Sequence, residues 1–274
     1  RVTLALDRAT NLRNVGLCHE HFGGLLRLSV MLLKSIEKID AKASGINHFT
    51  WFYDIRDAET GEDLYPKALR HVRRFPFMHP PLVRRCVEEF GLFPTSSDSH
   101  IGEYLPFVSD VVKPLFPFHK FFENEGKVRE QLIKWYGGGM LPVPAKILPN
   151  SGEEALPICQ AIATGEYEEF NAINVPNKGY IPNLPDGAIV EVPAHASGGE
   201  LIPDTVPPID ESIAEHIRVQ LPIQDKVVEA ALNRDPDAAW EAIELDPLSP
   251  PDESSRRAMF DEMMKLQKDL LPFD

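Results

Sequence analysis

Two short segments concentrate the residues of this sequence that can do chemistry. Val15-Gly16-Leu17-Cys18-His19-Glu20-His21 is a brief apolar run that ends in a thiol, two imidazoles and a carboxylate. Gly45-Ile46-Asn47-His48-Phe49-Thr50-Trp51-Phe52 carries one histidine, 30 positions beyond Cys18, inside an apolar and aromatic-rich run. A strand that ends in Cys and His, followed by a second strand bearing His, brings a soft and a borderline ligand to one divalent metal. Cys18 and His48 are therefore the candidate metal ligands. Without that chemistry the same residues read as a buried core cysteine and a satisfied core histidine, since free cysteine is among the most buried residue types.

A third segment, Ser96-Ser97-Asp98-Ser99-His100-Ile101-Gly102-Glu103-Tyr104-Leu105-Pro106, packs four titratable side chains into seven positions. It reads either as a solvated loop or as an acid–base segment. Asn171-Ala172-Ile173-Asn174-Val175-Pro176-Asn177-Lys178-Gly179 and Val190-Glu191-Val192-Pro193 read as strand, Asn/Gly/Pro turn and strand. Turn formation explains Asn174 and Asn177 as well as substrate contact does.

The elements that must position these groups follow from periodicity. Residues 2–8 read as the tail of a helix and 14–17 as a buried strand leading to Cys18. Residues 23–39 place Leu25, Leu28, Leu32, Ile36 and Ile39 at helical spacing, with the helix N-terminus aimed at the Cys-His cluster. Residues 43–55 read as one strand, followed by a turn at Thr60-Gly61-Glu62-Asp63. Helices are predicted over 64–74, 81–90, 121–135 and 152–164, and strands over 169–175 and 188–192. The final third is helical, over 211–232, 237–245 and 256–270, punctuated by Asp235-Pro236 and Asp246-Pro247. The sum is an α+β fold: a mixed sheet packed with many helices, and a helical C-terminal third.

With 274 residues the chain can bury a substantial core. A net charge of −14 argues against nucleic acid and anionic membrane surfaces as partners, because both are polyanions. No apolar run approaches the roughly 20 residues that span a bilayer, and the first residues lack signal-peptide anatomy. Cys18, Cys86 and Cys159 show no disulfide rhythm, which fits a reducing cytoplasm. The 25 prolines cluster in stretches that read as ordered loops.

Taken together, the Cys18 and His48 segments resemble the metal-binding motifs of glycoside hydrolase family 4, whose glycosidases use NAD and a divalent metal. The segment around His100 resembles that family's active-site run of His, acid, aromatic and Pro. Asn174-Val175-Pro176-Asn177-Lys178-Gly179 and Val190-Glu191-Val192-Pro193 are similar to its Asn-Val-Pro-Asn-x-Gly and Val-Glu-Val-Pro segments. The tail, with Val227-Val228-Glu229-Ala230-Ala231-Leu232 and Asp246-Pro247-Leu248, is similar to its C-terminal helices. The likeness is collinear over essentially the whole chain.

The resemblance implies a domain like the C-terminal domain of lactate dehydrogenases. It also implies that Cys18 and His48 hold a divalent ion, typically manganese, with open positions for two adjacent sugar hydroxyls. NAD would oxidise C3 of the sugar, a base would remove the C2 proton, and the aglycone would leave by elimination, outside the usual two-carboxylate scheme. Asp98 and Tyr104 are the candidate bases. A tyrosine, with a reference pKa of about 10, needs a neighbouring cation to act as phenolate. His100 would bind metal or substrate, or hold the base in place. His19, Glu20, Asn47, His100 and Asn174 are the candidate substrate contacts. The residues after the cysteine resemble the branch acting on α-linked, non-phosphorylated sugars, most of all α-glucuronidases. His21 departs from the small apolar residue expected there. A small carbohydrate substrate and a homo-oligomer, dimer or tetramer, are the implied partners.

Residues 1–20 are expected to close a dinucleotide-binding domain and 21–274 to form the catalytic α+β domain. The Gly-rich strand–turn–helix of a nucleotide-binding fold is not found, since Gly137-Gly138-Gly139 follows a helix. The chain alone is therefore expected to be inactive, and a non-catalytic structural or oligomerisation domain is the alternative. A rival reading takes His19 and His21 as the zinc ligands of an amidohydrolase-type enzyme. That fold requires eight alternating strands and helices, a pattern the proline-rich middle does not supply.

Overall fold

The computed structural model of the protein describes residues 1–17, 20–111, 118–138 and 154–271. Its frame is a five-stranded sheet of β1 (Ile39–Ile46), β2 (Phe49–Asp57), β3 (Glu168–Pro176), β4 (Ile189–Ser197) and β5 (Glu200–Pro203). The order is β2-β1-β4-β3, with β5 paired to β4. The α+β class stands, and the sheet is antiparallel in every pairing rather than mixed.

Two helices precede the sheet, α1 (Val2–Ala9) and α2 (Glu20–Leu32). Between β2 and β3 come α3 (Tyr65–Arg74), α4 (Pro81–Phe90), the short α5 (Asp98–Ile101) and α6 (Val108–Val111), α7 (Phe118–Gly137) and α8 (Ala155–Thr164). The C-terminal third is α9 (Glu211–Asn233), α10 (Pro236–Leu245) and α11 (Glu253–Leu266). Each of these last three starts at an aspartate, Asp210, Asp235 or Asp252, whose side chain accepts first-turn backbone N–H groups. No helix among the described residues is long and apolar enough to cross a membrane.

The main core lies between α2 and the sheet. Leu25, Leu28, Met31 and Leu32 join Ile46, Phe49, Phe52 and Ile55 in one buried cluster. Close approach of α2 to β2 depends on Gly24, where a Cβ would come within 2.9 Å of both the Phe52 ring and the Thr95 carbonyl oxygen. One row of residues crosses the sheet. Gly16 bridges to Asn174, Asn174 stands in register with Glu191, Glu191 with Gly45, and Gly45 with Thr50. The Thr95 N–H donates to the Thr50 carbonyl at 3.0 Å and carries the row into the segment before α5.

Three sequence expectations change. Residues 14–17 are not a buried strand: only Gly16 bridges β3, and Val15 and Leu17 are exposed. The helix expected over 23–39 stops at Leu32, because Leu33 turns left-handed (φ 54°) and the chain reverses into β1. The strand expected over 43–55 is a hairpin that turns at Asn47 and His48, with Asn47 at φ 36°. Asparagine tolerates that conformation better than other side chains do. Gly45 makes the turn possible, since a Cβ there would sit 2.3 Å from the Phe49 carbonyl oxygen.

Candidate active site

Four segments converge at one end of this frame. The first is the stretch before Cys18, tied to β3 by paired backbone hydrogen bonds between Gly16 and Asn174 (2.9 and 2.8 Å). Gly16 packs closely there, since a Cβ would lie 2.4 Å from the Thr3 hydroxyl and 3.1 Å from the Asn174 Cβ. The second is the first turn of α2, which presents Glu20. The third is the β1–β2 turn with Asn47 and His48. The fourth is the segment of residues 94–106 with α5.

His48 lies in the turn rather than within a strand, and Ser96 Oγ donates to its carbonyl. Its ring meets the ring of His100 edge-on, with centroids 4.5 Å apart. His100 is flanked by two carboxylates: Nε2 lies 3.5 Å from Glu20 Oε1, and Nδ1 lies 3.5 Å from Glu103 Oε1. One ligating atom from each of His48, His100 and Glu103 lies within 4.8 Å of the others. His100 Nδ1 is buried without a hydrogen-bond partner. A nitrogen in that condition, facing an imidazole and a carboxylate, suits a divalent cation of borderline character. The residues present therefore fit a metal. Cys18 and His19, the other two residues expected here, lie outside the described residues.

Tyr104 is buried beside this cluster, its ring stacked on Phe49 with centroids 5.1 Å apart. Burial pushes its phenol above the ordinary value, Glu103 and Glu191 push the same way, and a hydrogen bond from the Asn47 side chain opposes them. Asn174 Nδ2 donates to Glu191 Oε2 at 2.8 Å, and both residues are buried. Gly16, Leu17, Asn47, Glu103, Tyr104 and Asn174 line one cleft of about 460 Å³, within the roughly 300–1,000 Å³ usual for small-molecule sites.

Asp98 stands apart. Its two oxygens accept the Leu82 and Val83 N–H groups at 2.9 and 3.0 Å, so the carboxylate closes the N-terminus of α4 instead of facing the cleft. Arg27 on α2 holds the same segment, donating to the Pro94 and Thr95 carbonyls, and faces both Glu20 and Asp98. His21 is 3% exposed, packs edge-on against Phe52, and has its pKa pushed down by burial to about 4. It is a core imidazole, not half of a zinc pair, and an antiparallel sheet replaces the barrel that the amidohydrolase reading requires.

The structure thus gathers Glu20, Asn47, His48, His100, Tyr104 and Asn174, and sends Asp98 elsewhere. It adds Glu103, three residues after His100 and so on the same side of a helical turn, and Glu191, the lone acid in an apolar strand. Both signals are present in the sequence, but neither names its partner.

The α+β domain thus carries a His–His–carboxylate cluster beside a polar cleft, with donor types that suit a divalent metal. The profile described as "Family 4 glycosyl hydrolase C-terminal domain" matches residues 43–249, and the chain belongs to that family. It is 29% identical to an α-galactosidase of Bacillus subtilis, over 99% of this chain and 64% of that protein. An α-galacturonidase of Bacillus subtilis is 26% identical, over 93% of this chain and 62% of that protein. Among solved structures, a 6-phospho-α-glucosidase from gut microorganisms in complex with NAD and Mn²⁺ superposes with a TM-score of 0.80 at 22% identity, over 99% of this chain and 66% of that one. The Thermotoga maritima 6-phospho-β-glucosidase with manganese, NAD⁺ and glucose-6-phosphate gives 0.76 at 18% identity, over all of this chain and 64% of that one. The chain thus spans about three fifths of the length of the curated relatives it matches.

Proposed function

We propose that this chain is the catalytic part of an NAD- and manganese-dependent glycosidase that cleaves O-glycosyl bonds of α-glycosides. The observation that carries the reading is the cluster of His48, His100 and Glu103, of which Glu103 lines the same cleft as Tyr104. Cys18 and His48 would hold the metal. Bound NAD supplies reversible oxidation at C3 of the sugar, and the bound ion supplies the polarisation that makes the C2 hydrogen acidic.

The chain's own residues do the rest. Tyr104 takes the C2 proton at its phenol oxygen: burial opposes ionisation of the phenol, so the phenolate relies on the Asn47 hydrogen bond and on a cation held beside it. Asp98 positions the segment that carries His100 and Tyr104. Asn47 and Asn174 offer amide groups to sugar hydroxyls at the cleft wall, Glu20 stands beside His100, and His19 would be a further substrate contact.

An α-uronide is the favoured substrate. Support comes from Glu20 after the Cys-His pair and from relatives named as α-galacturonidases. Arg27, facing Glu20, offsets the repulsion between that carboxylate and an acidic sugar. A homo-oligomer in the cytoplasm completes the proposal.

Hydrolysis of an α-glycoside in heavy water by the intact enzyme, NAD-binding fold included, tests the route. Deuterium at C2 of the product is expected, and a good substrate that leaves C2 unlabelled would overturn the mechanism. Neutral α-galactosides cleaved far faster than α-uronides would overturn the substrate preference alone.

A further inference from the structure

We infer that the cavity between β2 and α3 is a second binding site, which takes a small acidic sugar through Arg70 and Arg73. It lies apart from the cleft and uses none of its residues, so it stands independently of the function proposed above.

The sequence supplies the charge. α3 carries Lys67, Arg70, His71, Arg73 and Arg74 without one acidic residue, in a chain whose net charge is −14. Cations in the last turn complement the carbonyl end of a helix, which accounts for Arg73 and Arg74 but not for Arg70. Arg70 and Arg73 are three positions apart and share a helix face. Both are exposed, and neither makes an ion pair or a side-chain hydrogen bond among the described residues.

The fold supplies the cavity. Tyr53, Asp54 and Arg56 of β2 and Asp63 before α3 line it together with the two arginines, around a volume of about 580 Å³. The acids are already engaged: Asp54 Oδ2 accepts from Arg56 Nε at 2.9 Å, and Asp63 Oδ1 accepts the Tyr65 N–H at 2.9 Å. Two guanidinium groups remain as uncompensated charge, and their planar forks match a carboxylate or a phosphate. Tyr65 also lines the cavity, and its ring is fixed there. Its hydroxyl donates to the Phe52 carbonyl at 2.7 Å and accepts the Phe93 N–H at 3.0 Å. The Tyr53 phenol is pushed up to about 12 by burial and by Asp204, Asp54 and Asp40, so it stays a neutral donor. Paired guanidinium forks beside an aromatic wall and a neutral hydroxyl suit a ring that bears both hydroxyls and an acid, either a hexuronate or a sugar phosphate. Tyr53 lies five positions beyond His48 in the chain, roughly 17 Å along the strand, which separates this cavity from the cleft.

Titration calorimetry on the intact enzyme, stripped of metal and without NAD, tests the inference at low ionic strength. The probes are glucuronate, glucose-6-phosphate, glucose and inorganic phosphate. At least one of the two sugar acids should bind, the tighter one naming the acid, and neutral glucose should not. Arg70→Gln and Arg73→Gln should each weaken that binding at least tenfold, the loss of one charge-assisted contact. Lys67→Gln removes the same charge from the same helix outside the cavity and should change it less than twofold. All three side chains are exposed, so the variants should unfold at an unchanged urea midpoint. Equal weakening by all three substitutions would reduce the effect to the general field of the helix and overturn the inference. Unchanged affinity and stoichiometry in both arginine variants, or glucose bound as tightly as the acids, would overturn it too. Inorganic phosphate bound as tightly as either sugar acid would mean an adventitious ion only. Deuterium labelling at C2 decides the cleft chemistry separately from any of these results.

Discussion

His21 gives a quantitative handle on the packing beneath the site. Its imidazole is buried against Phe52 and titrates at about 4 in the folded protein, against an ordinary value of 6.5. The sign follows from which state holds the proton. Above pH 6.5 neither state is protonated at this ring, and the full stability is present. Below it the unfolded chain takes up the proton while the folded chain refuses it, so stability falls until the pH nears the folded value. Each pH unit in that window costs about 1.4 kcal/mol at most, which gives a loss of about 2 kcal/mol between pH 7.5 and 5, levelling off near about 3 kcal/mol. Urea unfolding at a series of pH values measures this directly. His21→Phe keeps a ring of similar size and cannot titrate, so its unfolding free energy should fall by about 2 kcal/mol less than that of the unaltered protein over the same interval. His79 and His216, also depressed by burial, are present in both proteins and cancel in the comparison. Identical pH slopes for the two proteins would refute the argument that this imidazole is folded in neutral.

Asp98→Asn removes one of two acceptor oxygens at the start of α4, so a stability loss of about 1 kcal/mol and a turnover loss under tenfold with an unmoved pH profile are expected. A well-folded variant with abolished turnover would instead make Asp98 the base. Asn174→Ala strips a buried partner from Glu191 and should cost about 1–3 kcal/mol in urea unfolding. An unchanged midpoint would mean the pair contributes nothing.

What the sequence discloses depends on how far its signals reach. α4 is legible because Pro81 opens it and Gly91, left-handed at φ 67°, ends it, both within a few residues of the helix they bound. The β1–β2 hairpin is hidden because Ile46 and Phe49 on either side of the turn are both buried, so the apolar run continues without punctuation. Among site residues, His48, His100 and Tyr104 are marked by type and motif. Asp98 has the right chemistry for a base, but its partners Leu82 and Val83 are fixed by tertiary folding and leave no local trace. Glu191 meets Asn174 only across a strand pairing, which no local pattern specifies.

The row of residues that spans the sheet, from Gly16 through Asn174, Glu191, Gly45 and Thr50 to Thr95, works as a crossbeam. The stretch leading to Cys18 hangs from one end, the segment leading to His100 and Tyr104 from the other, and the turn bearing His48 grows from its middle. A one-residue slip anywhere along it would flip side chains to the other face and scatter the site. Substitutions along the beam should therefore couple strongly instead of adding. On the function proposed above, such a frame would have little freedom to adjust to a new sugar, and substrate choice would be written in the groups suspended from the beam, at positions such as Glu20 and Glu103.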